Sequence, residues 1–411
     1  MRLRIKDYTT KVGSGVTPRG GAETYLNEGI PLFRSQNVTN DGFLMDDIAY
    51  ISEEVDEMMK GTRVKPGDVL LNITGASIGR CFFTSNDFGR GNVNQHVCII
   101  RPKKNVTLPA YLHYCIVSDK GQEQINLTQT GANREGLSIE DIKGFSFDIP
   151  PLSKQQRIVD YLDEKLGNID ARIAVLEKQQ DAHARLKKSI IYHTVTRGLN
   201  PDVSLKDSGV DWIGMIPEHW ELRRFKSIFT ECKSITQTGE ENLLSVSEYY
   251  GVARRIDKME DGEYESRANS LIGYKVCKKN DLVINIMLAW KRGLGFSNFD
   301  GIVSPAYAVY RGKNIVPHYF HYLMRTDMYV TEYKRNSKGI IDSRLRMYTD
   351  RFNNIMSIFP PIPEQQTIAD YLDEKCSKID AAIENIGKQI NALKRLKRAL
   401  INEVITGQRA V

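Results

Sequence analysis

The sequence predicts an α+β protein made by internal duplication, in which each of two globular domains is followed by one long helix. Three observations lead to this prediction. The phrase QQRIVDYLDEK, which begins at Gln155, returns as QQTIADYLDEK at Gln365, an offset of 210 residues (365 − 155). Both phrases open stretches that lack proline and carry apolar residues at heptad spacing. The segments before them are instead rich in short β-prone runs separated by Gly, Asn and Asp.

The repeated segments extend beyond the shared phrase. Other features recur at the same offset of 210: Pro150-Pro151 with Pro360-Pro361, Ile169-Asp170 with Ile379-Asp380, Arg185 with Arg395, and Thr196 with Thr406. A double proline ends a preceding strand and suits the start of a helix. From Gln155 and from Gln365 onward, each copy continues for more than 40 residues without proline, which corresponds to a helix about 65 Å long.

Within each long helix, apolar residues alternate in steps of four and three. This is a heptad seam, a narrow apolar stripe that faces a partner helix. Such a helix is too long to pack on one small domain, so the two helices are predicted to pair. Two unrelated amphipathic helices would not share the same sequence at a constant offset. The predicted pairing residues are Leu162, Leu166, Ile169, Ile173 and Leu176 in the first helix and Leu372, Ile379, Ile383, Ile386, Ile390 and Leu393 in the second, with Cys376 at a further seam position and Gln180 and His183 as polar seam residues of the first helix.

The two globular segments resemble each other more weakly. Each joins β-prone runs such as DVLLNIT or AYAVYRG to a helical stretch, LPAYLHYCIVSD or VPHYFHYLMRTD. The chain is therefore divided into a first globule (1–149), a first helical spacer (150–199), a linker with the second globule (200–358) and a second helical spacer (359–411). The lead-in PEHWELRRF opens the second globule, whereas the first globule begins without one.

Composition is that of a soluble globular protein, with 411 residues of which 41% are hydrophobic and 26% charged. No apolar run is long enough to cross a membrane and the N-terminus lacks a signal-peptide core, so a cytoplasmic location is expected. Six scattered cysteines indicate neither a zinc site nor a disulfide framework. The net charge of +6 permits a polyanionic partner without requiring one.

Motifs of catalysis are missing from the sequence. It contains no GxxxxGK[ST] phosphate loop, no GxSxG elbow and no HExxH helix. The Asp-Pro-Pro-Tyr-type motif of amino-methyltransferases is also missing. The chain is therefore predicted to be non-catalytic, with no catalytic residue and no metal site of its own. A single-chain nuclease or methyltransferase with an unrecognised site is the enzymatic alternative.

Gly-rich loops of both globules carry side chains suited to DNA. Arg, Asn, Gln and Ser can reach base edges, while Arg, Lys and backbone N–H groups hold phosphates. Taken singly, each loop is more typical of an ordinary solvated turn than of a DNA contact. The candidates in the first globule are Arg19, Arg34, Gln36, Asn37, Thr74, Ser77, Arg90, Asn92, Asn94, Gln95, Asn133 and Arg134. Those in the second are Tyr249, Arg254, Lys291, Arg292, Lys334, Arg335, Lys338, Arg344 and Arg346.

Taken together, these features resemble the specificity subunits of type I restriction–modification enzymes. The resemblance is carried by the two segments PPLSKQQRIVDYLDEK…ID and PPIPEQQTIADYLDEK…ID and by the linker KDSGVDWIGMIPEHWELRRF. In the first globule the stretches TPRGG, YLNEGIPLFRSQNV and LLNITGASIGR also match the family pattern. The similarity covers essentially the whole chain.

The resemblance implies two target recognition domains and two long helices that pair as an antiparallel coiled coil, with a pseudo-two-fold axis relating the halves. Each domain would read one half of a bipartite, asymmetric site in double-stranded DNA. The subunit would hold no cofactor itself. Two modification subunits would use S-adenosylmethionine to methylate adenine at N6 after flipping the base. Up to two restriction subunits would use ATP and Mg²⁺ to translocate and cleave DNA.

A coiled-coil scaffold with protein-binding globular domains is the alternative from another functional class. Such a scaffold would show no salt-dependent binding to DNA. The Arg-, Asn- and Gln-rich loops and the divergence of the two globules argue against it.

Overall fold

The computed structural model describes residues 1–129, 136–258 and 270–411. These residues form two compact units. The first unit contains Met1–Glu177 together with Lys388–Val411, and the second contains Lys178–Gly387. Each unit therefore combines one globule with part of the first long helix and part of the second. The four segments predicted from the sequence instead separate the globules from the long helices.

The first globule contains nine strands and four short helices among its described residues. The strands are β1 (Arg2–Arg4), β2 (Thr9–Ser14), β3 (Ile30–Phe33), β4 (Ala49–Ile51), β5 (Val69–Asn72), β6 (Cys81–Phe83), β7 (Asn92–Val93), β8 (Val97–Pro102) and β9 (Ser146–Asp148). The helices are α1 (Glu53–Met58), α2 (Pro109–Val117), α3 (Asp119–Gln129) and α4 (Ile139–Gly144).

A four-stranded antiparallel sheet organises this globule, in the order β2-β8-β5-β6. The central strand β5 is buried along its whole length, as its branched apolar residues favour. The chain enters β5 through Gly67, whose φ of 86° suits a residue without Cβ. Asp68 follows and accepts two hydrogen bonds from the Arg101 guanidinium, at 2.6 and 2.7 Å, which join β5 to its neighbour β8.

The first long helix, α5 (Leu152–Arg197), has 46 residues and is about 69 Å long. It begins directly after Pro150-Pro151, as the sequence predicts. It ends where Gly198 takes a left-handed conformation with a φ of 78°. Glycine is favoured at this position because a side chain would be strained there.

The second globule contains twelve strands and four short helices among its described residues. The strands are β10 (Leu205–Asp207), β11 (Met215–Pro217), β12 (Glu221–Arg224), β13 (Phe229–Glu231), β14 (Leu244–Ser247), β15 (Gly251–Arg254), β16 (Lys275–Cys277), β17 (Leu282–Asn285), β18 (Leu294–Phe296), β19 (Gly301–Val303), β20 (Tyr307–Gly312) and β21 (Met356–Phe359). The helices are α6 (Phe225–Ile228), α7 (Pro317–Met324), α8 (Asp327–Asn336) and α9 (Thr349–Phe352).

The second long helix, α10 (Ile362–Ile405), follows the second globule and has 44 residues. Like α5, it begins close behind a double proline, here Pro360-Pro361. Among the described residues, no helix combines the length and the apolar character needed to span a bilayer.

The main sheet of the second globule repeats that of the first. Its order, β13-β20-β17-β18, places equivalent strands in equivalent positions. The ion pair at its centre is repeated too, because the Arg311 guanidinium donates two hydrogen bonds of 2.9 Å to Asp281. Asn280, with a φ of 70°, stands where the first globule has its entry glycine. The duplication predicted from the helices therefore includes the globules.

The stretch read as a linker folds as part of the second globule. Strands β10 and β11 form an antiparallel pair, and Ile213, Ile216 and Trp220 belong to the buried core. Strand β12, from the lead-in, pairs with β21. In the first globule β1 pairs with β9 in the same way. The expectation that the first globule lacks the whole lead-in is thus corrected: its strand is present, but RLR is too short to reveal the match.

Within the first unit, the parts of α5 and α10 run in opposite directions. Leu162 of α5 lies in the same buried cluster as Val404 of α10. Farther along α5, the Asp170 carboxylate accepts a hydrogen bond of 2.8 Å from Nζ of Lys397. A later position on one helix thus meets an earlier position on the other, which is antiparallel packing.

The second unit repeats this arrangement with the helices exchanged. Nζ of Lys187 donates to the Asp380 carboxylate at 2.6 Å, and Val195 shares a buried cluster with Leu372. Asp380 is the repeat of Asp170, and Lys397 is the repeat of Lys187, each at the offset of 210 (380 − 170 and 397 − 187). The duplication therefore makes the same ion pair twice.

The heptad seam is buried on both helices. Leu162, Leu166, Ile173, Leu176, Leu372, Cys376, Ile386 and Ile390 are buried, while Ile169, Ile379, Ile383, Leu393, Gln180 and His183 are partly buried. The predicted α+β fold with internal duplication and antiparallel long helices is confirmed.

An equivalent glutamine fastens each long helix to its globule. The Gln365 side chain is fully buried; its Oε1 accepts from the Val316 backbone N–H at 3.0 Å and its Nε2 donates to the carbonyl of Pro360 at 2.8 Å. Gln155 makes the same two bonds, with Leu108 N–H at 2.9 Å and with the first carbonyl of its double proline at 2.8 Å. The first glutamine of the repeated QQ therefore has the same structural role in both copies.

Replacing Gln365 by alanine tests this role. Gln365→Ala leaves a backbone donor and a backbone acceptor unpaired inside the protein, so the free energy of unfolding should fall by about 2–4 kcal/mol. Urea unfolding followed by circular dichroism measures the change. Gln366→Ala is the matched control, because Gln366 is exposed and bonds only Asp370 of its own helix; its effect should stay within about 0.5 kcal/mol. Equal effects of the two changes would contradict the assignment.

Candidate nucleic-acid interface

Three of the predicted DNA-binding stretches of the first globule meet at one end of its main sheet. The Asn72 side chain, at the end of β5, donates to the carbonyls of Ser35 and Val38 at 2.7 and 3.2 Å. The backbone N–H of Asn94 donates to the Phe33 carbonyl at 3.1 Å. The stretches FRSQNV, NITGASIGR and GRGNVNQH are therefore neighbours in space.

Arg34 and Gln36 share one acidic partner in this region. Nη2 of Arg34 donates to the Asp47 backbone carbonyl and Nε2 of Gln36 donates to the Asp47 carboxylate, both at 2.6 Å. The Arg34 guanidinium also lies 5.7 Å from the ring centre of Tyr25, within range of a cation–π contact. Asn37, by contrast, is buried and bonds within its own loop. Arg34 and Gln36 are held on the surface, while Asn37 shapes the turn.

A histidine that the sequence prediction omitted links the other polar residues. His96 Nδ1 lies 2.6 Å from Oγ1 of Thr74, and its Nε2 lies 3.0 Å from Nε2 of Gln95. Asn94, which is buried, accepts from the His96 backbone N–H at 3.1 Å. Ser77 is partly buried on the turn after β5. The role of His96 could not be predicted from the sequence, because a single histidine beside glutamine forms no motif with a characteristic spacing.

Arg90 and Asn92 serve a buried carboxylate. Asp56 is fully buried and accepts from Asn92 at 2.7 Å, from Nε of Arg90 at 2.8 Å and from Nε of Arg63 at 2.8 Å. Burial of the carboxyl favours its neutral form, but these three donors outweigh it and hold the pKa of Asp56 below its ordinary value. Asn92 itself is buried. In this structure the two candidates hold the globule together.

The remaining candidates of the first globule lie in two loops. Arg19 is exposed on the loop after β2, whose Val16 N–H donates to the Val93 carbonyl at 3.2 Å. Asn133 and Arg134 lie outside the described residues. We refer to Arg34, Gln36, Thr74, Gln95 and His96 as the His96 surface.

In the second globule, two predicted stretches meet at Trp290. Nζ of Lys291 lies 5.0 Å and Nζ of Lys334 lies 5.2 Å from the Trp290 ring. Lys291 comes from the turn after β17, whereas Lys334 comes from α8. Two ammonium groups over one indole are cation–π contacts. The adjacent pair Trp290-Lys291 could be read from the sequence, but the approach of Lys334 depends on the fold.

The stretch after α8 adds further cations to this region. Lys338 and Arg346 exchange two backbone hydrogen bonds of 2.9 Å, which close a loop that carries exposed Arg344. Lys334 ties α8 to the same loop through an ion pair of 2.9 Å with Asp342. We call Trp290, Lys291, Lys334, Lys338, Arg344 and Arg346 the Trp290 surface.

The other candidates of the second globule have separate surroundings. Arg335 points to Glu332 of its own helix, at 3.3 Å. Arg254 pairs with Asp257 at 2.8 Å and its guanidinium lies 5.0 Å from the Phe299 ring. Tyr249 is 84% exposed; a hydrogen bond to the Glu248 carboxylate raises the pKa of its phenol. Arg292 donates to the Arg325 carbonyl at 3.1 Å and pairs with Asp327.

The two surfaces differ in charge. The His96 surface offers hydroxyl, amide and imidazole groups with a single arginine, whereas the Trp290 surface offers five cations, two of which lie over one aromatic ring. The first set can form directional hydrogen bonds, and the second can neutralise phosphates. Among the described residues, no group of three or more His, Cys, Asp or Glu is arranged to hold a metal ion.

Comparison with known proteins finds similarity to the family that the sequence resembles. Residues 3–180 match the family described as "Type I restriction modification DNA specificity domain". The resemblance found in the sequence is confirmed. The chain is 21% identical to the type I restriction enzyme EcoBI specificity subunit of Escherichia coli over 427 residues, which cover 99% of this chain and 86% of that protein. It is 18% identical to the StySPI specificity subunit of Salmonella potsdam, covering 98% and 88% of the two chains.

Two solved structures share the fold of this chain. One belongs to a study of complex assembly and conformational transition of the type I R-M system; it has a TM-score of 0.69 and 14% identity, with 98% of this chain and 97% of that chain covered. The other is the HsdS subunit from Thermoanaerobacter tengcongensis, with a TM-score of 0.53 and 14% identity, covering 100% and 97%. At this level of identity the likeness establishes the fold.

The buried carboxylate of the first globule gives a pH-dependent prediction. Asp56→Asn removes the charge that three donors satisfy, so at about pH 7 the free energy of unfolding should fall by about 1–3 kcal/mol. Because the pKa of Asp56 is lowered by folding, its stabilising effect is present above the ordinary carboxyl pKa of about 3.9 and is lost as the pH falls through the lowered value.

Urea unfolding of both proteins at about pH 7, 5 and 3 measures this difference, which should shrink only in the most acidic solution. Glu28→Gln, a change at an exposed carboxylate, is the control and should alter stability little at any of these pH values. A difference for Asp56→Asn that grows as the pH falls would refute the assignment.

Proposed function

We propose that this chain is a DNA-specificity subunit of a type I restriction–modification complex. It recognises a bipartite, asymmetric DNA sequence, one half through each globule, and directs the chemistry of partner subunits to that site. The observation that carries the proposal is the convergence of separate polar and cationic loops on one surface per globule. Similarity to specificity subunits along nearly the whole chain supports it.

Each surface suits one part of DNA recognition. Side chains such as Gln36 and Gln95 have both a donor and an acceptor, and glutamine pairs with adenine in the major groove. The lysines of the Trp290 surface suit phosphates, whose neutralisation releases counterions and makes binding dependent on salt. A protein that reads two half-sites needs a fixed distance between its readers, and in each unit the parts of α5 and α10 pack along a buried seam.

The partners would supply the chemistry. We infer that two modification subunits bind the chain and methylate adenine at N6 with S-adenosylmethionine, and that up to two restriction subunits use ATP and Mg²⁺ for translocation and cleavage. The chain itself acts without catalysis and without a bound cofactor. Base flipping, which methylation of a base within a duplex requires, would then take place in the modification subunit. Such a complex would work in the cytoplasm.

A methylation assay tests the proposed function. The chain is co-expressed with its modification subunit in a host that lacks other adenine methylation, and the genomic DNA is read by methylation-sensitive sequencing. Adenine-N6 methylation should occur at one bipartite motif and should disappear when this chain is omitted. Methylation that does not depend on this chain would refute the proposal. A protein-binding scaffold would leave the pattern unchanged, and a single-chain methyltransferase would methylate without its partner.

The Trp290 surface gives a second prediction. Lys291→Ala with Lys334→Ala removes two phosphate contacts, so DNA binding should weaken several-fold and the slope of log affinity against log salt should decrease by about two. Fluorescence anisotropy at several salt concentrations measures both quantities. Lys206→Ala, at an exposed position of β10, is the control and should leave the slope unchanged. A normal slope for the double variant would exclude these lysines as phosphate contacts.

A further inference from the structure

The second unit contains a cleft between the C-terminal part of α5 and the second globule. Its volume is about 620 Å³, and α5 contributes Lys188, Tyr192 and His193 to its wall. The opposite wall includes Tyr249 and Arg292, which the sequence had already marked as DNA-binding candidates. Packing against α10 and against the globule explains why α5 is long. Neither contact explains why Lys188, Tyr192 and His193 are exposed on this helix.

Cationic side chains line one wall of the cleft, and Lys188 is the one whose charge is not paired within the described residues. Lys188 is exposed and, among the residues that the structure describes, has no ion-pair or hydrogen-bond partner. Arg325 is instead committed to backbone carbonyls, including those of Glu248 at 2.7 Å and Leu294 at 2.7 Å. Burial lowers the pKa of Arg325 to about 10, so it stays charged near neutral pH.

Two carboxylates also border the cleft, and both have partners. Asp327 is paired with Arg292, and Glu248 accepts a hydrogen bond from the Tyr249 phenol. Neither carboxylate is left to repel an anion alone. The remaining charge at the mouth of the cleft is therefore that of Lys188, with the two exposed phenol rings of Tyr192 and Tyr249 beside it.

At the equivalent position of the first unit, the long helix is hydrogen-bonded to the globule. Asn402 is the repeat of Tyr192 at the offset of 210 (402 − 192). Its Oδ1 accepts from the backbone N–H of Asp119 at 2.6 Å, at the start of α3. This contact joins α10 directly to the first globule. The repeated frame thus allows a short polar tie at this position, and the second unit has an exposed aromatic residue in its place.

The cleft is continuous with the Trp290 surface. Arg292 directly follows Lys291, which belongs to that surface. Helix α8 begins at Asp327, on the cleft wall, and carries Lys334 to the Trp290 ring. The helix has 10 residues, or a length of about 15 Å, so the cleft and the surface lie within about four to five phosphates along one DNA strand, at about 3.4 Å per phosphate.

We infer that this cleft binds the backbone of DNA held by the second globule, with Lys188 on a phosphate and Tyr192 packed against the adjoining sugar. The inference rests on the proposed function and extends it, because it makes α5 a DNA-binding element in addition to a spacer. Charge complementarity and continuity with the Trp290 surface favour DNA over a protein partner. Contacts of this kind position the duplex without reading its sequence.

Charge reversal in the full-length chain tests the inference. The probe is a fluorescently labelled DNA duplex of arbitrary sequence, and anisotropy is followed across a salt series. Lys188→Glu should weaken binding several-fold and lower the salt slope by at least about one, while Tyr192→Ala should weaken binding with little change in slope. Lys178→Glu, on an exposed position of the same helix outside the cleft, is the matched control.

The outcomes separate the inference from the function on which it rests. If Lys188→Glu and Lys178→Glu weaken binding equally, the effect is one of overall charge and the cleft is not a DNA site. If Lys188→Glu binds like the unchanged chain, the inference fails while the proposed function stands. If the unchanged chain neither binds DNA nor directs methylation, the proposed function fails. Retained circular dichroism of Lys188→Glu shows that lost binding is not lost folding, and recovery with Lys188→Arg supports a phosphate contact.

Discussion

The antiparallel packing of α5 and α10 is the constraint on which each compact unit depends. The core of the first unit contains Leu162 from α5 and also Leu400 and Val404 from the far end of the chain. These residues are more than 200 positions apart (400 − 162 = 238), so the core is completed only after the whole chain has been made. Closing such a long loop carries an entropic cost that grows slowly with its length. Burial of the leucines and the ion pair of Asp170 with Lys397 offset part of that cost.

The repeated features are those that the frame requires. Each copy retains the buried glutamine, the ion pair across the long helices, and the arginine–aspartate pair inside the main sheet. Loss of the glutamine or of the arginine–aspartate pair would leave a buried polar group or charge without its partner, which is costly. Exposed loop residues need no such partner, because water can bond to their polar groups. The His96 and Trp290 surfaces have diverged on equivalent frames for this reason.

The sequence was sufficient to predict the parts of the fold that repeat. A constant offset, a heptad seam and a double proline located both long helices to within a few residues. Contacts between separate segments could not be predicted from the sequence. No pattern near Asp56 indicates that Arg90 and Asn92, more than 30 residues later in the chain (90 − 56 = 34), bind its carboxylate. A list of loop residues therefore mixed side chains that face solvent with side chains that hold the globule together. Residue type and loop position cannot separate the two, because both uses favour Arg and Asn.

The difference between the two surfaces suggests how the work of recognition is divided. Phosphate contacts contribute affinity and are screened by salt, whereas hydrogen bonds to base edges contribute discrimination. The Trp290 surface carries five cations, two of them over the indole ring, while the first globule presents hydroxyl, amide and imidazole groups that Asp47 and His96 hold in place. Under the proposed function, a duplicated frame with unlike surfaces would give a bound duplex a direction, because the cationic half could not exchange places with the polar half without loss of binding energy. In such a protein an asymmetric DNA site is a consequence of divergent loops on a duplicated frame.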